Sequence, residues 1–235
     1  MTREEKHHIL LKLWQSVQPL NEVNTVDARN LYHPETVFIN RSQTYVSADT
    51  VQQMKVGPGT VIGSGVTFLG CVHIGTDCII GPHQTLHNVS IGDRVQVGAR
   101  ARLTDTNIGN DCRIGANTEI VRVKMGEKTD AQHFSYIGDA EIGAECNIGA
   151  GVVFANYDGH KKDKFLVGKG VFVGSGTVIL APRYIADESI VGAHSLVSKN
   201  IARRGSVMVG HNRILDRLSV REKDGWVIIR PTYDR

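Results

Sequence analysis

The sequence predicts an all-β fold, a left-handed parallel β-helix built from about eight or more coils of hexapeptide repeats. An apolar residue recurs nearly every six positions from Val56 to Val197, which gives 24 anchors, and glycine directly follows 15 of them. From Leu86 to Phe154, successive coils are related by a constant step of 17 residues. Neither a helix nor an alternating strand keeps such a period, whereas stacked coils of three six-residue units do.

Composition and charge narrow the class of protein. The chain has 235 residues, 25 of them glycine, and 27 basic against 24 acidic residues give a net charge of +3. That balance is unlike the strongly basic footprint of a nucleic-acid-binding protein. No apolar run approaches the roughly 20 residues that span a bilayer, and Met1 to Leu20 is too charged for a secretory signal. We therefore expect a cytoplasmic protein that binds neither nucleic acid nor membrane.

The repeat divides the chain into three segments. Residues 1–50 lack clear repeats, but a capping-box pattern at Thr2–Glu5 and apolar spacing over 9–17 predict one short helix there. Residues 51–202 form the predicted β-helix. Within it, the step from Phe154 to Val167 is 13 rather than six, so a loop over 155–166 should project. Residues 203–235 leave the repeat and are predicted to cap the last coil, as solenoid ends require.

Cysteine and histidine spacings predict neither disulfides nor a metal site. Cys78, Cys112 and Cys146 fall 34 residues apart, which places them two coils apart in one column. At roughly 10 Å by the strand spacing, their separation exceeds the limit for a disulfide. With Cys71, they are expected to be reduced, mostly core-filling thiols. A zinc site formed by histidines is disfavoured, because the three candidates occupy different positions in their repeats: His73, His83 and His87.

Four motifs between Ala131 and Pro182 carry a family resemblance. They read H-x-x-Y-x-G-D-A-E-I-G, N-I-G-A-G, N-Y-D-G-x-x-K and F-V-G-S, in this order. Together they resemble the acetyltransferase half of the bifunctional bacterial GlmU enzyme, with weaker similarity over 56–130. The resemblance implies an acetyl-CoA-dependent N-acetyltransferase for an amino sugar such as glucosamine-1-phosphate, working as a homotrimer. The nucleotide loop of that family's uridyltransferase domain does not occur, so no uridyltransferase activity is expected.

Acetyl transfer from a thioester to an amine needs a base and donors for the developing oxyanion. The resemblance implies that His133 is the catalytic base and that Glu119 orients it. It assigns substrate contacts to Tyr136, Asn147, Asn156, Tyr157 and Lys162, and the acetyl-CoA groove to Ala150, Ser175 and Ala193. Ordinary surface and corner roles are the alternative for each of these residues.

The sequence departs from the family pattern where the sugar phosphate is gripped. The family carries an arginine before a Pro-Gly corner and a lysine pair one coil later. Here the arginine position is Leu103 or deleted, and Val121 stands at the first lysine. A one-residue offset in an extended segment moves a side chain to the opposite face, so Arg102 and Arg122 need not substitute. This departure motivates a second hypothesis, a non-catalytic β-helix that binds a sugar nucleotide or a partner protein.

Overall fold

The computed structural model describes residues 37–38, 44–46, 54–215, 218–223 and 226–231. Across these ranges the chain is built from strands and turns, with no α-helix. The helix predicted over 9–17 lies outside them. In the same described ranges, no helix has the length and apolar character to cross a membrane.

The described residues contain 27 strands, and most of these span two or three residues because each hexapeptide uses its other residues for a corner. In chain order they are β1 (Val37–Phe38), β2 (Tyr45–Val46), β3 (Met54–Val56), β4 (Val61–Ile62), β5 (Thr67–Ile74), β6 (Ile79–Ile80), β7 (Thr85–Ile91), β8 (Gln96–Val97), β9 (Arg102–Ile108), β10 (Arg113–Ile114), β11 (Glu119–Val121), β12 (Lys124–Met125), β13 (Asp130–Ala131), β14 (Tyr136–Gly138), β15 (Ala140–Ile142), β16 (Asn147–Ile148), β17 (Val153–Ala155), β18 (Phe165–Val167), β19 (Phe172–Val173), β20 (Val178–Leu180), β21 (Arg183–Ile185), β22 (Ile190–Val191), β23 (Leu196–Val197), β24 (Val207–Val209), β25 (Arg213–Leu215), β26 (Leu218–Lys223) and β27 (Trp226–Pro231).

The strands stack into three faces, each a ladder of parallel pairs one coil apart. Face one contains β1, β4, β6, β8, β10, β13, β16, β19, β22 and β24. Face two contains β2, β11, β14, β17, β20 and β23, and face three contains β3, β12, β15, β18 and β21. Strands β5, β7 and β9 run from face two onto face three and merge these faces into one 14-stranded sheet. The result is a left-handed solenoid of about nine turns, which confirms the predicted fold class.

The repeat anchors form the core of the solenoid. All 24 are buried, and none is more than 5% exposed. The largest of them, Phe68 and Phe154, are fully buried, and Phe154 meets Phe165 edge-on with ring centroids 5.0 Å apart. On most strands the neighbours of the anchors point outward, whereas on β4 and β6 the neighbouring Val61 and Ile79 are buried as well.

Three corners separate the faces. Corner one follows face one and carries Ala116, His133, Ala150, Ser175 and Ala193; corner two follows face two and carries Asn88, Asp105, Arg122 and Asp139; corner three follows face three and carries Asp77, Arg94, Asp111 and Lys128. Corner two is the short one in the middle coils, because its flanking anchors are only five positions apart, as in Ile120 and Met125. The projecting loop also leaves the solenoid at corner two, between β17 and β18.

The strand ladder extends on both sides of residues 51–202. Strands β1 and β2 pair in parallel with β4 and β5, and β24 pairs in parallel with β22. The short strands before residue 50 escape the sequence pattern because they lie out of step with the later anchors. Strand β25 runs antiparallel to β24 and ends the parallel ladder on face one. Strands β26 and β27 pair with each other as an antiparallel hairpin.

A buried column of small donors lines corner three. The thiols of Cys78 and Cys146 donate to the carbonyl oxygens of Gly92 and Gly168 at 3.1 and 3.0 Å, as threonine hydroxyls do elsewhere in the column. Burial raises the pKa of Cys78 to about 12. Three cysteines are therefore core residues as predicted, whereas Cys71 is only half-buried.

Candidate functional site

The predicted base and the predicted cofactor residues share one straight column on corner one. His133 is exposed and follows β13, and its carbonyl oxygen accepts from the N–H of Gly151 at 2.9 Å in the next coil. The same link joins Ala150 to Gly176, and Ser175 to His194, at 2.8 Å each. His133, Ala150, Ser175 and Ala193 consequently occupy the same position in four successive coils.

The imidazole of His133 folds back onto the coil below. Its Nδ1 accepts a hydrogen bond from the N–H of Ala116 at 3.0 Å. A neutral ring in this position carries its proton on Nε2 and therefore presents an N–H donor outward. Gly115 lets the next coil approach closely, because a Cβ there would lie 2.4 Å from the His133 backbone nitrogen, and it would also stand 2.8 Å from Nδ1 of the ring.

Glu119 lies on face two rather than against the imidazole. It sits on β11, in register with Arg102 below and Tyr136 above. Its carboxylate accepts a long 3.4 Å bond from Arg102, and the described part of the chain shows no bond to His133. The reason is positional: Ala116 is the residue beneath His133, and Glu119 follows it by three residues, past the corner.

Tyr136 and Asn156, both predicted to bind substrate, are brought together where face two meets corner two. Asn156 is 5% exposed, and its Nδ2 donates to the Tyr136 hydroxyl at 3.3 Å and to Asp139 Oδ2 at 2.5 Å. Gly138 makes this cluster possible, because a Cβ there would stand 2.5 Å from Nδ2 and 2.8 Å from the hydroxyl. The otherwise unusual glycine on this face thus has a packing reason.

Corner two carries a polar ladder that residue-by-residue reading of the sequence missed. Nε and Nη2 of Arg122 donate to Asp139 at 2.6 and 2.8 Å, and Asn88 donates to Asp105 at 3.0 Å. The Arg122 guanidinium lowers the pKa of Asp139, burial opposes this, and the Asn156 bond lowers the pKa further. The signal was available, since Arg122, Asp139 and Asn156 follow one another at the 17-residue step.

The other predicted substrate residues lie apart from this cluster. Asn147 is on face one, across corner one from Tyr136, between Asp130 and Phe172 in its ladder. Tyr157 and Lys162 lie on the projecting loop and form an antiparallel bridge with each other. The charge of Lys162 also lowers the pKa of Asp139, so the loop carries this lysine toward corner two.

The cations near face two differ from the family pattern in the way that the sequence indicated. Leu103 is fully buried among the core anchors. Val121 pairs in register with Thr104 and Gly138 and offers no charge. The guanidinium of Arg122 is committed to Asp139 at corner two, and among the described residues of face two the exposed Arg102 lies beside Glu119.

Further features lie around the solenoid. Phe134, next to His133, is 69% exposed and has a φ of 60°, which is unusual for a bulky side chain.

Clefts of about 620 Å³ on face three and about 210 Å³ beside corner two do not contain His133. Among the residues whose placement is described, no three histidine, cysteine or acidic side chains gather as metal ligands would.

Comparison with known proteins shows that the repeat matches two known kinds of hexapeptide repeat. Residues 54–83 match the bacterial transferase hexapeptide (six repeats), and 88–122 and 105–128 match the hexapeptide repeat of succinyl-transferase. The solved structure of LpxA from Acinetobacter baumannii superposes with a TM-score of 0.52 at 19% identity, covering 77% of this chain and 72% of that one. That likeness supports the fold.

Sequence relatives extend the match over most of the chain. The bifunctional protein GlmU of Alkaliphilus metalliredigens is 33% identical over 233 residues, covering 90% of this chain and 49% of that protein. GlmU of Levilactobacillus brevis is 37% identical over 202 residues, covering 78% and 41%. The chain thus spans about half the length of the curated relatives it matches. It is a hexapeptide-repeat protein that resembles the acetyltransferase region of bifunctional GlmU.

Proposed function

We propose that the protein is a cytoplasmic, acetyl-CoA-dependent N-acetyltransferase that acts on an amino sugar, of which glucosamine-1-phosphate is the model acceptor. The observation that carries the proposal is the column on corner one, where His133 lies below Ala150, Ser175 and Ala193. These small residues leave an open strip above the imidazole. At about 4.8 Å per coil, the strip is long enough for an extended pantetheine arm to bring a thioester to His133.

His133 would act as the general base. As the acceptor amine attacks the thioester carbonyl, the C–N bond forms, the C–S bond breaks and CoA leaves as the thiol. The imidazole takes the amine proton and returns it to the departing sulfur. Either ring nitrogen can do this only after Nδ1 has left the Ala116 N–H, so catalysis requires the ring to turn outward.

Face two supplies the floor for the acceptor. Glu119 and Tyr136 lie side by side between corner one, which carries His133, and corner two, beside which Asn156 lies. A sugar lying across this face would contact both residues and bring its amine to the corner. Tyr157 and Lys162 on the loop and Asn147 on face one would complete the site.

Assembly into a homotrimer would enclose the site between neighbouring chains. His133 lies on a projecting, exposed edge, and three exposed apolar side chains surround that edge: Phe134, Val153 and Phe172. A neighbouring solenoid packed along corner one would cover these side chains and enclose CoA between two chains. Asn147 would then face the acceptor bound to an adjoining chain.

The test is acetyl transfer itself, followed by mass spectrometry of the acceptor and by thiol release. Glucosamine-1-phosphate, glucosamine and a UDP-amino sugar are supplied with acetyl-CoA. We expect one of them to be N-acetylated and His133→Asn to lower kcat/KM by about 10²–10⁴-fold. His83→Asn is the matched control, because His83 is exposed on the same corner in a lower coil. No acetylation of any acceptor, or turnover indifferent to His133→Asn, would reject the proposal.

The scarcity of free cations on face two favours one alternative, a non-catalytic protein that binds a sugar nucleotide or a partner protein. With Leu103 buried and Arg122 paired to Asp139, a sugar phosphate finds fewer partners there. Calorimetry separates the hypotheses. Tight binding of UDP-N-acetylglucosamine without acetyl transfer, unchanged in His133→Asn, would support the alternative.

A further inference from the structure

We propose that Arg122 and Asp139 are positioning residues, which fix the Asn156 carboxamide and, through it, the Tyr136 hydroxyl. The inference rests on the proposed function, since Tyr136 and Asn156 are its expected acceptor-binding residues. It adds that two residues without a role in that function determine which hydrogen-bonding groups the site presents.

The Asp139 carboxylate is locked in place. Its side chain is 12% exposed, and both of its oxygens receive N–H groups from the Arg122 guanidinium. Such a bidentate fork fixes the plane of the carboxylate as well as its charge. Oδ2 also accepts the Asn156 N–H at 2.5 Å, so the orientation of the carboxylate determines that of the Asn156 carboxamide.

The carboxamide of Asn156 can take only one orientation against this carboxylate. Its two N–H groups point at Asp139 and at the Tyr136 oxygen. A flipped amide would set Oδ1 against a carboxylate oxygen, two acceptors with no proton between them. Oδ1 is thereby left as the acceptor for a ligand. Because the Tyr136 oxygen accepts from Asn156, its own hydrogen is free to donate to a ligand.

A second pair of the same design, at corner three, supplies the control. Nε and Nη2 of Arg94 donate to Asp111 at 2.9 and 2.8 Å, again across 17 residues. Asp111 and Asp139 both have a positive φ, 59° and 53°. Asparagine tolerates that conformation, so Asp→Asn changes the charge at either site without straining the backbone. The two pairs differ in that Asp139 passes its orientation on to Asn156.

The first experiment observes the carboxamide directly and needs no turnover. The protein is labelled with ¹⁵N-asparagine, and the side-chain signal of Asn156 is assigned by its loss in Asn156→Ala. We expect Asp139→Asn and Arg122→Met to move this signal and to speed its hydrogen exchange by about tenfold or more. Asp111→Asn and Arg94→Met should leave it in place. An Asn156 signal unchanged in Asp139→Asn would overturn the proposal.

The second experiment asks whether the orientation matters to the acceptor. Asp139→Asn should raise the acceptor KM about tenfold while the KM for acetyl-CoA, bound at corner one, stays constant. In an Asn156→Ala background the same change should add less than about twofold, because its effect passes through Asn156. Independent, multiplying effects would contradict the proposal. If the wild type acetylates no acceptor, the proposed function fails, while the amide signal still decides the positioning role.

Discussion

At the scale of single residues, the candidate site depends on glycines as much as on functional groups. Gly115 lets the backbone of the next coil and the His133 ring approach, and Gly138 gives Asn156 and Tyr136 room to meet. Neither has the positive φ that would itself require glycine. Gly115 leaves space chiefly for the backbone of the next coil, whereas Gly138 leaves space for neighbouring side chains.

Gly138→Ala tests that role. The new methyl group would stand too close to the ends of Asn156 and Tyr136, both of which can swing away. We expect the fold to survive with little change in melting temperature, and the acceptor KM to rise about tenfold. The KM for acetyl-CoA is the internal control. Equal losses in both constants would instead mean that the whole site has shifted.

At the scale of elements, the buried column at corner three shows why cysteine and threonine recur at one position of the coil, although Val95 and Val171 also occupy it. Thr129 Oγ1 donates to the Gly143 carbonyl at 3.0 Å and accepts from the Cys146 N–H at 3.2 Å. The thiol of Cys112 donates to the Gly126 carbonyl at 3.2 Å in the same manner. Either side chain is small enough for the corner and satisfies a backbone group that the turn leaves without a partner.

Thr129→Val and Cys112→Thr make a matched pair of changes in this column. Valine keeps the shape but leaves the Gly143 carbonyl and the Cys146 N–H unsatisfied, at a cost of about 1–3 kcal/mol. Cys112→Thr keeps the donor and should cost less than about 1 kcal/mol. Melting temperatures of the two variants decide between them. Equal destabilisation would show that volume, rather than hydrogen bonding, governs the column.

The repeating strands and faces could be predicted from the sequence, whereas the hydrogen bonds between particular side chains could not. The faces were predictable because each anchor is a local apolar signal repeated at a fixed step, and all 24 anchors are buried. The Arg122–Asp139–Asn156 chain also follows that step, but its bonds depend on side-chain rotamers. The family resemblance assigns Glu119 to His133, yet its partner in the structure is Arg102, because Glu119 lies on face two and His133 on corner one.

At the scale of the whole molecule, the solenoid stacks residues that are far apart in the sequence above one another along its axis. Residues from His133 to Ala193 are 60 positions apart in sequence, yet they stand in one column of four coils. Face two then spans from this column to the ladder at corner two. Corner one and face two therefore hold most of the predicted site residues, and we propose that neighbouring copies enclose the rest of the site.

A crystal structure with CoA tests this account most directly. We expect three solenoids around a common axis, with the CoA sulfur within hydrogen-bonding reach of the His133 imidazole. The pantetheine arm should run past Ala150, Ser175 and Ala193, and the His133 ring should have released the Ala116 N–H. CoA bound on face three, or a corner one that faces bulk solvent with no adjoining chain and no CoA, would contradict it.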